Sequence, residues 1–123
     1  MKPILMLLSL LLLLGCDSES PSAQRSNDTI WVYINRGAIQ CESPGSSPEQ
    51  TAAVLVDNGI DVLNSSCGYI TGLAIAAQCG LGDNNINVHR ILDKNLSDSE
   101  ALGYKSVANL AQGYTDTCQE KRS

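Results

Sequence analysis

Ser47 to Ile60 reads SPEQTAAVLVDNGI, and both ends of a helix are written into it. Ser47 precedes Pro48, and Gln50 stands three places on. A serine hydroxyl in this position accepts from the backbone of the third helical residue, while the Gln50 amide reaches back to the serine N–H. Proline suits the first helical position, where its missing N–H is no loss. Ala52, Leu55 and Val56 recur at helical spacing, and Asn58-Gly59 ends the run with a residue at ease in the left-handed conformation. Ile60 then folds back onto Leu55. Ala52, Leu55, Val56 and Ile60 are the predicted core contacts.

Strand-like stretches surround this helix. Thr29 to Ile39 (TIWVYINRGAI) is rich in β-branched and aromatic residues and apolar on both alternating faces, as an interior strand requires. Arg36-Gly37 marks a bulge or bend within it. Glu42 to Ser46 is turn-rich. Beyond the helix, Asp61 to Cys67 (DVLNSSC) reads as a second strand and Ile86 to Leu92 (INVHRIL) as another, entered through a turn at Gly80 to Asn85. Residues 68–80 read two ways, with Tyr69-Ile70-Thr71 as strand and Ala74 to Gln78 as a helical turn or a further strand. A second capping sequence, Ser97-Asp98-Ser99-Glu100, opens a brief helix ended by Gly103, with Leu96 placed to staple against Ala101. Ser106 precedes a last helical piece, Val107 to Gln112. Tyr114 to Ser123 is polar and loose unless Cys118 ties it down.

The order strand, helix, strand, strand, helix predicts an α+β domain. Its compact form is a small antiparallel sheet with two or three helices on one face, a ferredoxin-like half-sandwich. The 123 residues suffice for one domain, assigned to residues 29–123. One Trp, four Tyr and no Phe leave the core to Val, Ile, Leu and Ala. Thirteen acidic against eight basic residues give a formal charge of −5. An acidic domain without a basic stripe repels phosphate backbones, which excludes nucleic acid as a partner, and it has no polybasic patch for a membrane surface.

The start of the chain is different in kind. Lys2 is followed by an apolar run from Ile4 to Leu14, broken only by Ser9, in the charged-then-apolar layout of a secretory signal. It falls short of the roughly 20 apolar residues a bilayer span needs. The run closes Leu13-Leu14-Gly15-Cys16, which resembles the lipobox of bacterial lipoproteins. That resemblance covers the first 16 residues and implies cleavage before Cys16, a diacylglycerol on its sulfur and acylation of the new amino group. Residues 1–15 are then the signal peptide and Cys16 the membrane anchor. Two or three acyl chains at ~0.8 kcal/mol per buried methylene hold firmly. Asp17 resembles the retention signal of enterobacterial lipoproteins, which implies the inner membrane, with the outer membrane as the alternative. The polar stretch to Asp28, DSESPSAQRSND, cannot repay its ordering entropy and reads as a flexible tether with ~20 Å of r.m.s. reach. Residues 16–28 are therefore anchor and linker.

An exported chain meets an oxidising compartment, so Cys41, Cys67, Cys79 and Cys118 read as two disulfides. Each contributes ~2–4 kcal/mol to a small domain. Three connectivities are open; Cys67–Cys79 would close the ambiguous segment and Cys41–Cys118 would pin the tail, and this set is preferred. Zinc is the rival use of these thiols with His89, but zinc sites carry close pairs such as C-x₂-C, and every spacing here is long. Asp83, Asn85 and Asn87 match the opening of a calcium loop, which then fails at Val88 and Lys94. His89 is the sole histidine, and alternation places it with Asn87 and Ile91 as a surface or half-buried strand residue. No G-x-S-x-G, H-E-x-x-H or P-loop occurs.

No catalytic residue, cofactor or metal is therefore assigned, and the chain is read as a non-enzyme. The leading expectation is a lipid-anchored binding or interaction module, held to the membrane through Cys16 and meeting an envelope protein. Two alternatives remain. One is a small secreted redox or hydrolytic enzyme, although C-x-x-C is missing. The other is an inhibitor or protective protein whose disulfide-held loop near Gly68 to Gly80 enters another protein's cleft, since a rigid loop loses little entropy on binding.

Overall fold

The computed structural model describes residues 28–118. The expected signal peptide, Cys16, Asp17 and nearly all of the expected tether lie outside the described residues, as do residues 119–123. The helix written into Ser47–Ile60 is present as α1 (Pro48–Asp57), and its capping box closes as the sequence requires. The Gln50 N–H donates to the Ser47 hydroxyl at 3.1 Å, and the Ser47 N–H to the Gln50 side chain at 2.8 Å. Gly59, at φ +82°, turns the chain back, and the Ile60 N–H reaches the Leu55 carbonyl at 3.0 Å. Thr51 and Leu55, one turn apart, are the buried residues of the helix. Val56 is the exception among the predicted core contacts, being 55% exposed. It sits about 100° around the axis from Leu55, which carries it off the face that meets the sheet.

Around α1 the chain forms one five-stranded sheet. The strands are β1 (Thr29–Asn35), β2 (Asn64–Ile70), β3 (Asn85–Leu92), β4 (Lys105–Ser106) and β5 (Tyr114–Asp116), in the order β4-β1-β3-β2-β5. Every neighbouring pair is antiparallel. A second helix, α2 (Leu96–Ala101), follows a 3₁₀ turn at Asp93–Asn95. The class is α+β, with a small antiparallel sheet, two helices and two disulfides.

Register decides what each face carries. Ile30 lies opposite Ile91, and Val32 lies between His89 and Ser106 on its two flanks. Val32, Leu55, Ile60, Ile91 and Tyr104 form the buried cluster, with Ile30, Ile34, Val62, Leu96 and Leu102 packed against it. Without phenylalanine, Tyr104 supplies the one large ring here, and its hydroxyl donates to the Thr51 carbonyl at 2.6 Å. Each fully buried aliphatic contributes ~1.5–3 kcal/mol, and truncating Leu55 to alanine costs ~2–5 kcal/mol.

Several boundaries differ from the sequence reading, each for a local reason. β1 stops at Asn35, four residues early, because the Asn35 side chain accepts the Gly37 N–H at 2.7 Å and turns the chain out of the sheet. β2 starts at Asn64 and extends to Ile70, so the strand propensity of Tyr69-Ile70 belongs to it, and residues 71–84 cross between β2 and β3 without a helical turn at Ala74–Gln78. Ser97 does not cap α2; that position falls to Asn95, which makes no side-chain cap bond, and the helix begins at Leu96. Its Ser99 hydroxyl instead donates to the Leu96 carbonyl at 2.7 Å. The helix expected at Val107–Gln112 shrinks to one 3₁₀ turn, Val107–Asn109, capped by Ser106. Cys118 does tie its segment down through Cys67, and Tyr114–Asp116 forms β5.

The disulfide connectivity also corrects the preferred set. The bonds join Cys41 to Cys79 and Cys67 to Cys118, with Cα atoms 5.1 and 5.2 Å apart. The cause is β5. It adds antiparallel to β2, pairing Asp116 with Gly68 and giving the Thr117 N–H to the Cys67 carbonyl at 2.9 Å, which delivers Cys118 to Cys67. Gly68 permits this approach, since a Cβ there would stand 1.9 Å from the Thr115 carbonyl oxygen. Cys79 is thereby left to Cys41.

Candidate functional site

The sheet has two ends. Thr29 pairs with Leu92 and Asn64 with Arg90, so the chain enters where β3 finishes and β2 starts. At the other end, Asn35 pairs with Ile86 and Tyr69 with Asn85. The turn at residues 36–46 and the crossing at residues 71–84 both lie there.

Apart from Tyr69 on β2, the crossing carries the large exposed apolar residues of this end. Leu73 is 49% exposed, Ile75 41% and Leu81 43%, and residues 71–82 include no charged side chain. Water should drive such a loop to collapse, yet its backbone is fastened at many points. Gln40 is the chief fastener. Its amide nitrogen donates to the carbonyls of Ala76 at 2.9 Å and Gly82 at 3.0 Å, and its amide oxygen accepts the Gln78 N–H at 3.0 Å. The Gln40 backbone exchanges bonds with Leu81 at 2.9 Å and Gly80 at 3.0 Å. Asn84 donates to Ile70 and Leu73, the Thr71 N–H reaches the Gly113 carbonyl at 3.1 Å, and Cys41–Cys79 closes the assembly covalently. Polar backbone is thus satisfied inward while aliphatic side chains face out. Cys41 sits at φ +69°, a left-handed position that costs a non-glycine residue ~1–2 kcal/mol.

The strongest constellation of titratable and hydroxyl groups lies elsewhere, between α1 and the sheet. The alternation that grouped His89 with Asn87 and Ile91 holds, but the expected surface or half-buried placement does not: His89 is 0% exposed. Its Nε2 lies 2.8 Å from the Thr51 hydroxyl and its Nδ1 2.7 Å from the Ser65 hydroxyl. With the proton on Nε2, His89 donates to Thr51, Thr51 donates to the Pro48 carbonyl at 3.2 Å, and Ser65 donates to Nδ1. That tautomer employs every hydrogen, whereas the other leaves the Ser65 proton without use in this chain. Burial pushes the imidazole down to about 4, against the opposing attraction of Glu49. A serine beside an imidazole suggests a nucleophile, but a base so depressed takes a proton poorly at neutral pH, and hydroxyls rather than a carboxylate occupy both nitrogens. The arrangement fastens α1 to β2 and β3.

A cleft of about 420 Å³ opens beside it, lined by Arg36, Ser47, Glu49, Ser65, Ser66 and the Cys67–Cys118 bridge. Its hydroxyls are committed: Ser47 caps α1, Ser65 meets His89, and Ser66 donates to Asp116 at 2.5 Å. A second cavity of about 430 Å³ lies at the loop end, bordered by Arg36, Glu42 and Asp83. The calcium-like residues do not converge. Asp83 turns both carboxylate oxygens on Asn85, and Asn87 donates to the Ser46 carbonyl at 3.0 Å. Among the described residues no group of three or more His, Cys, Asp or Glu is placed to hold a metal ion, and no helix is long and apolar enough to cross a membrane.

Of the residues singled out from sequence, Cys41 and Cys79 thus belong to the loop end, Cys67 and Cys118 to the sheet edge, and Cys16 lies outside the described residues. Gln40 was invisible in the sequence. A lone glutamine carries no motif, and its role exists only once the two loops meet. The charge-free apolar run at residues 71–82 was a legible signal for an exposed contact element. Comparison with protein-family models, curated proteins and solved structures finds no match to this chain.

Proposed function

We propose that this protein is a lipid-anchored component of the bacterial cell envelope whose domain is a non-enzymatic interaction module, presenting the 71–84 loop to another protein. The observation that carries the reading is the pairing of opposites in that loop. Leu73, Ile75 and Leu81 face solvent, while Gln40 and Cys41–Cys79 hold the backbone beneath them. A fixed apolar protrusion contributes burial on docking with little ordering cost. The charged start, apolar run and Gly15-Cys16 junction support the anchor, and Asp17 supports retention in the inner membrane. The sheet order β4-β1-β3-β2, with helices between β1 and β2 and between β3 and β4, supports a ferredoxin-like half-sandwich extended by β5. The same pinned loop favours one narrower version, in which the module inhibits or protects by filling a partner's cleft.

Two measurements test the proposal. Mass spectrometry of the native mature chain should find it beginning at Cys16 with diacylglycerol and acyl additions; an unmodified thiol there refutes the anchor. The soluble domain, residues 24–123, should retain a partner from envelope extract that the triple variant Leu73→Ser, Ile75→Ser, Leu81→Ser does not. Equal retention by both proteins refutes the loop as contact. Fractionation of Asp17→Ser tests the membrane: an unchanged distribution removes the inner-membrane assignment.

A further inference from the structure

We infer that the apolar loop is carried on the pole of the domain facing away from the anchoring membrane, where it docks an envelope protein through an apolar cleft ringed by basic groups. The inference rests on the lipoprotein reading for the membrane and on the sheet for direction. The chain arriving from Cys16 enters at Thr29, the first residue of β1. Six residue steps along β1, about 20 Å, separate that point from Asn35. Asn35 is already at the loop, donating to the Asp83 carbonyl at 2.9 Å. Chain entry and loop thus lie at opposite ends of β1, and an upright domain carries the loop outermost.

Charge narrows the occupant further. The loop carries none, but Glu42 and Asp83 border the cavity beside it against the single Arg36. An acidic rim is repelled by an anionic leaflet. A second copy would bring the same rim against itself, in a chain whose formal charge is −5. A protein cleft with aliphatic walls and a basic edge has neither conflict. Leu73, Ile75 and Leu81 supply the buried anchors, and the acids at the rim steer the approach.

The test places a photoreactive benzoylphenylalanine at Ile75 in the full-length chain, in its own envelope, with Leu63 at the Thr29 end as the opposing site. The Ile75 probe should give a discrete protein adduct and the Leu63 probe none. Leu81→Asp should cut the Ile75 adduct on the order of tenfold without moving the melting temperature, and Glu42→Lys about threefold. Phospholipid adducts at Ile75, an adduct of twice the chain mass, or no adduct overturns the inference. Lipid attachment is scored in the same sample. A chain acylated on Cys16 but giving no protein adduct at Ile75 overturns docking and leaves the lipoprotein reading intact. An unmodified Cys16 overturns the lipoprotein reading and, with it, the direction assigned to the loop, whatever the adduct.

Discussion

At the Thr29 end of the sheet, apolar side chains other than Leu63 turn inward: Ile30, Ile60, Val62 and Ile91 join one cluster with Leu55 and Tyr104. At the other end Ile86 is buried too, but in the 71–84 crossing the order is reversed, with Leu73, Ile75 and Leu81 outside and amide groups within. The sheet and the crossing each have a disulfide. Cys67, 6% exposed, is joined to Cys118 at the packed edge of the sheet, whereas Cys41 and Cys79 are both exposed. Burial and cross-linking thus act together in one region and are separated in the other. The loop is held rigid by bonds alone, which leaves its apolar surface free.

The largest expected effect comes from breaking the bridge in the packed region. Chain entropy alone gives loop closures over 51 and 38 residues nearly the same value, about 4 kcal/mol each. Structure separates them. Replacing Cys67 and Cys118 by serine also buries a hydroxyl under β5, so the loss should exceed ~4 kcal/mol and the domain should melt far lower. Replacing Cys41 and Cys79 by serine lets Cys41 leave its left-handed conformation, which returns ~1–2 kcal/mol and leaves a loss nearer ~2–3 kcal/mol. Urea unfolding of both pairs measures the gap. Equal losses would mean that the two regions do not differ in the way their burial implies.

Acid tests the packed region from another side. The folded pKa of His89, about 4, lies below its ordinary value of 6.5. Between those limits the unfolded chain takes up a proton that the folded chain refuses. The stabilisation is therefore complete above pH 6.5 and lost progressively as pH falls toward 4, for a total of ~3 kcal/mol. Carboxylates titrate in the lower part of this window, so the comparison is with His89→Gln, whose amide gives and accepts one bond each. Its unfolding free energy should fall less than that of the native chain from pH 6.5 to 4, and parallel curves would show that the imidazole is protonated without cost. His89 sits in the middle of β3 and its bonds run to Thr51 and Ser65, neither of them in the loop, so loop variants should leave the pH profile unchanged.

The same division explains how much could be read from the sequence. α1 was legible to the residue because its signals are local: Ser47 and Gln50 are three apart, and Gly59 acts on its own backbone. The strands β1 and β3 were legible as propensity, though β1 was overrun because Asn35 ends it through one side-chain bond. The local misses shift boundaries by a few residues, as at Asn35, Leu96 and Asn109; the misses that change connectivity are long-range. Cys118 pairs with Cys67 only because β5 docks on β2, and β5 is three polar or aromatic residues with weak propensity of its own. Proximity in sequence favoured Cys79, twelve residues on, which is geometrically wrong once β2 runs straight through Cys67 to Ile70. The disulfide-held loop was legible as an idea near Gly68–Gly80, yet its fastening by Gln40 depends on two segments 36 to 42 residues apart.

Gln40 offers the intermediate effect. Gln40→Ala removes three hydrogen bonds to loop backbone groups, but these groups are solvent-exposed and water replaces much of what is lost. The cost to global stability should be about 1 kcal/mol. Hydrogen exchange at Gln78, whose N–H meets the Gln40 side chain, should accelerate at least tenfold, while amides of β3 keep their protection. Acceleration spread evenly over both would show that the loop and the sheet open as one unit, and would erase the distinction between them.

Smallest of all is the effect of removing the apolar side chains that define the loop. Leu73→Ser and Ile75→Ser each delete an aliphatic group that already stands 41% or more in water, so little transfer energy is forfeited on folding. Each should change unfolding free energy by less than ~0.5 kcal/mol, the range of ordinary surface positions. Leu55→Ala, a substitution of the same kind in the packed region, should cost ~2–5 kcal/mol. The contrast is measured by chemical denaturation of three single variants. If Leu73→Ser proved as damaging as Leu55→Ala, these side chains would be serving the fold after all, and a surface kept apolar at no benefit to the domain would no longer call for a partner to cover it.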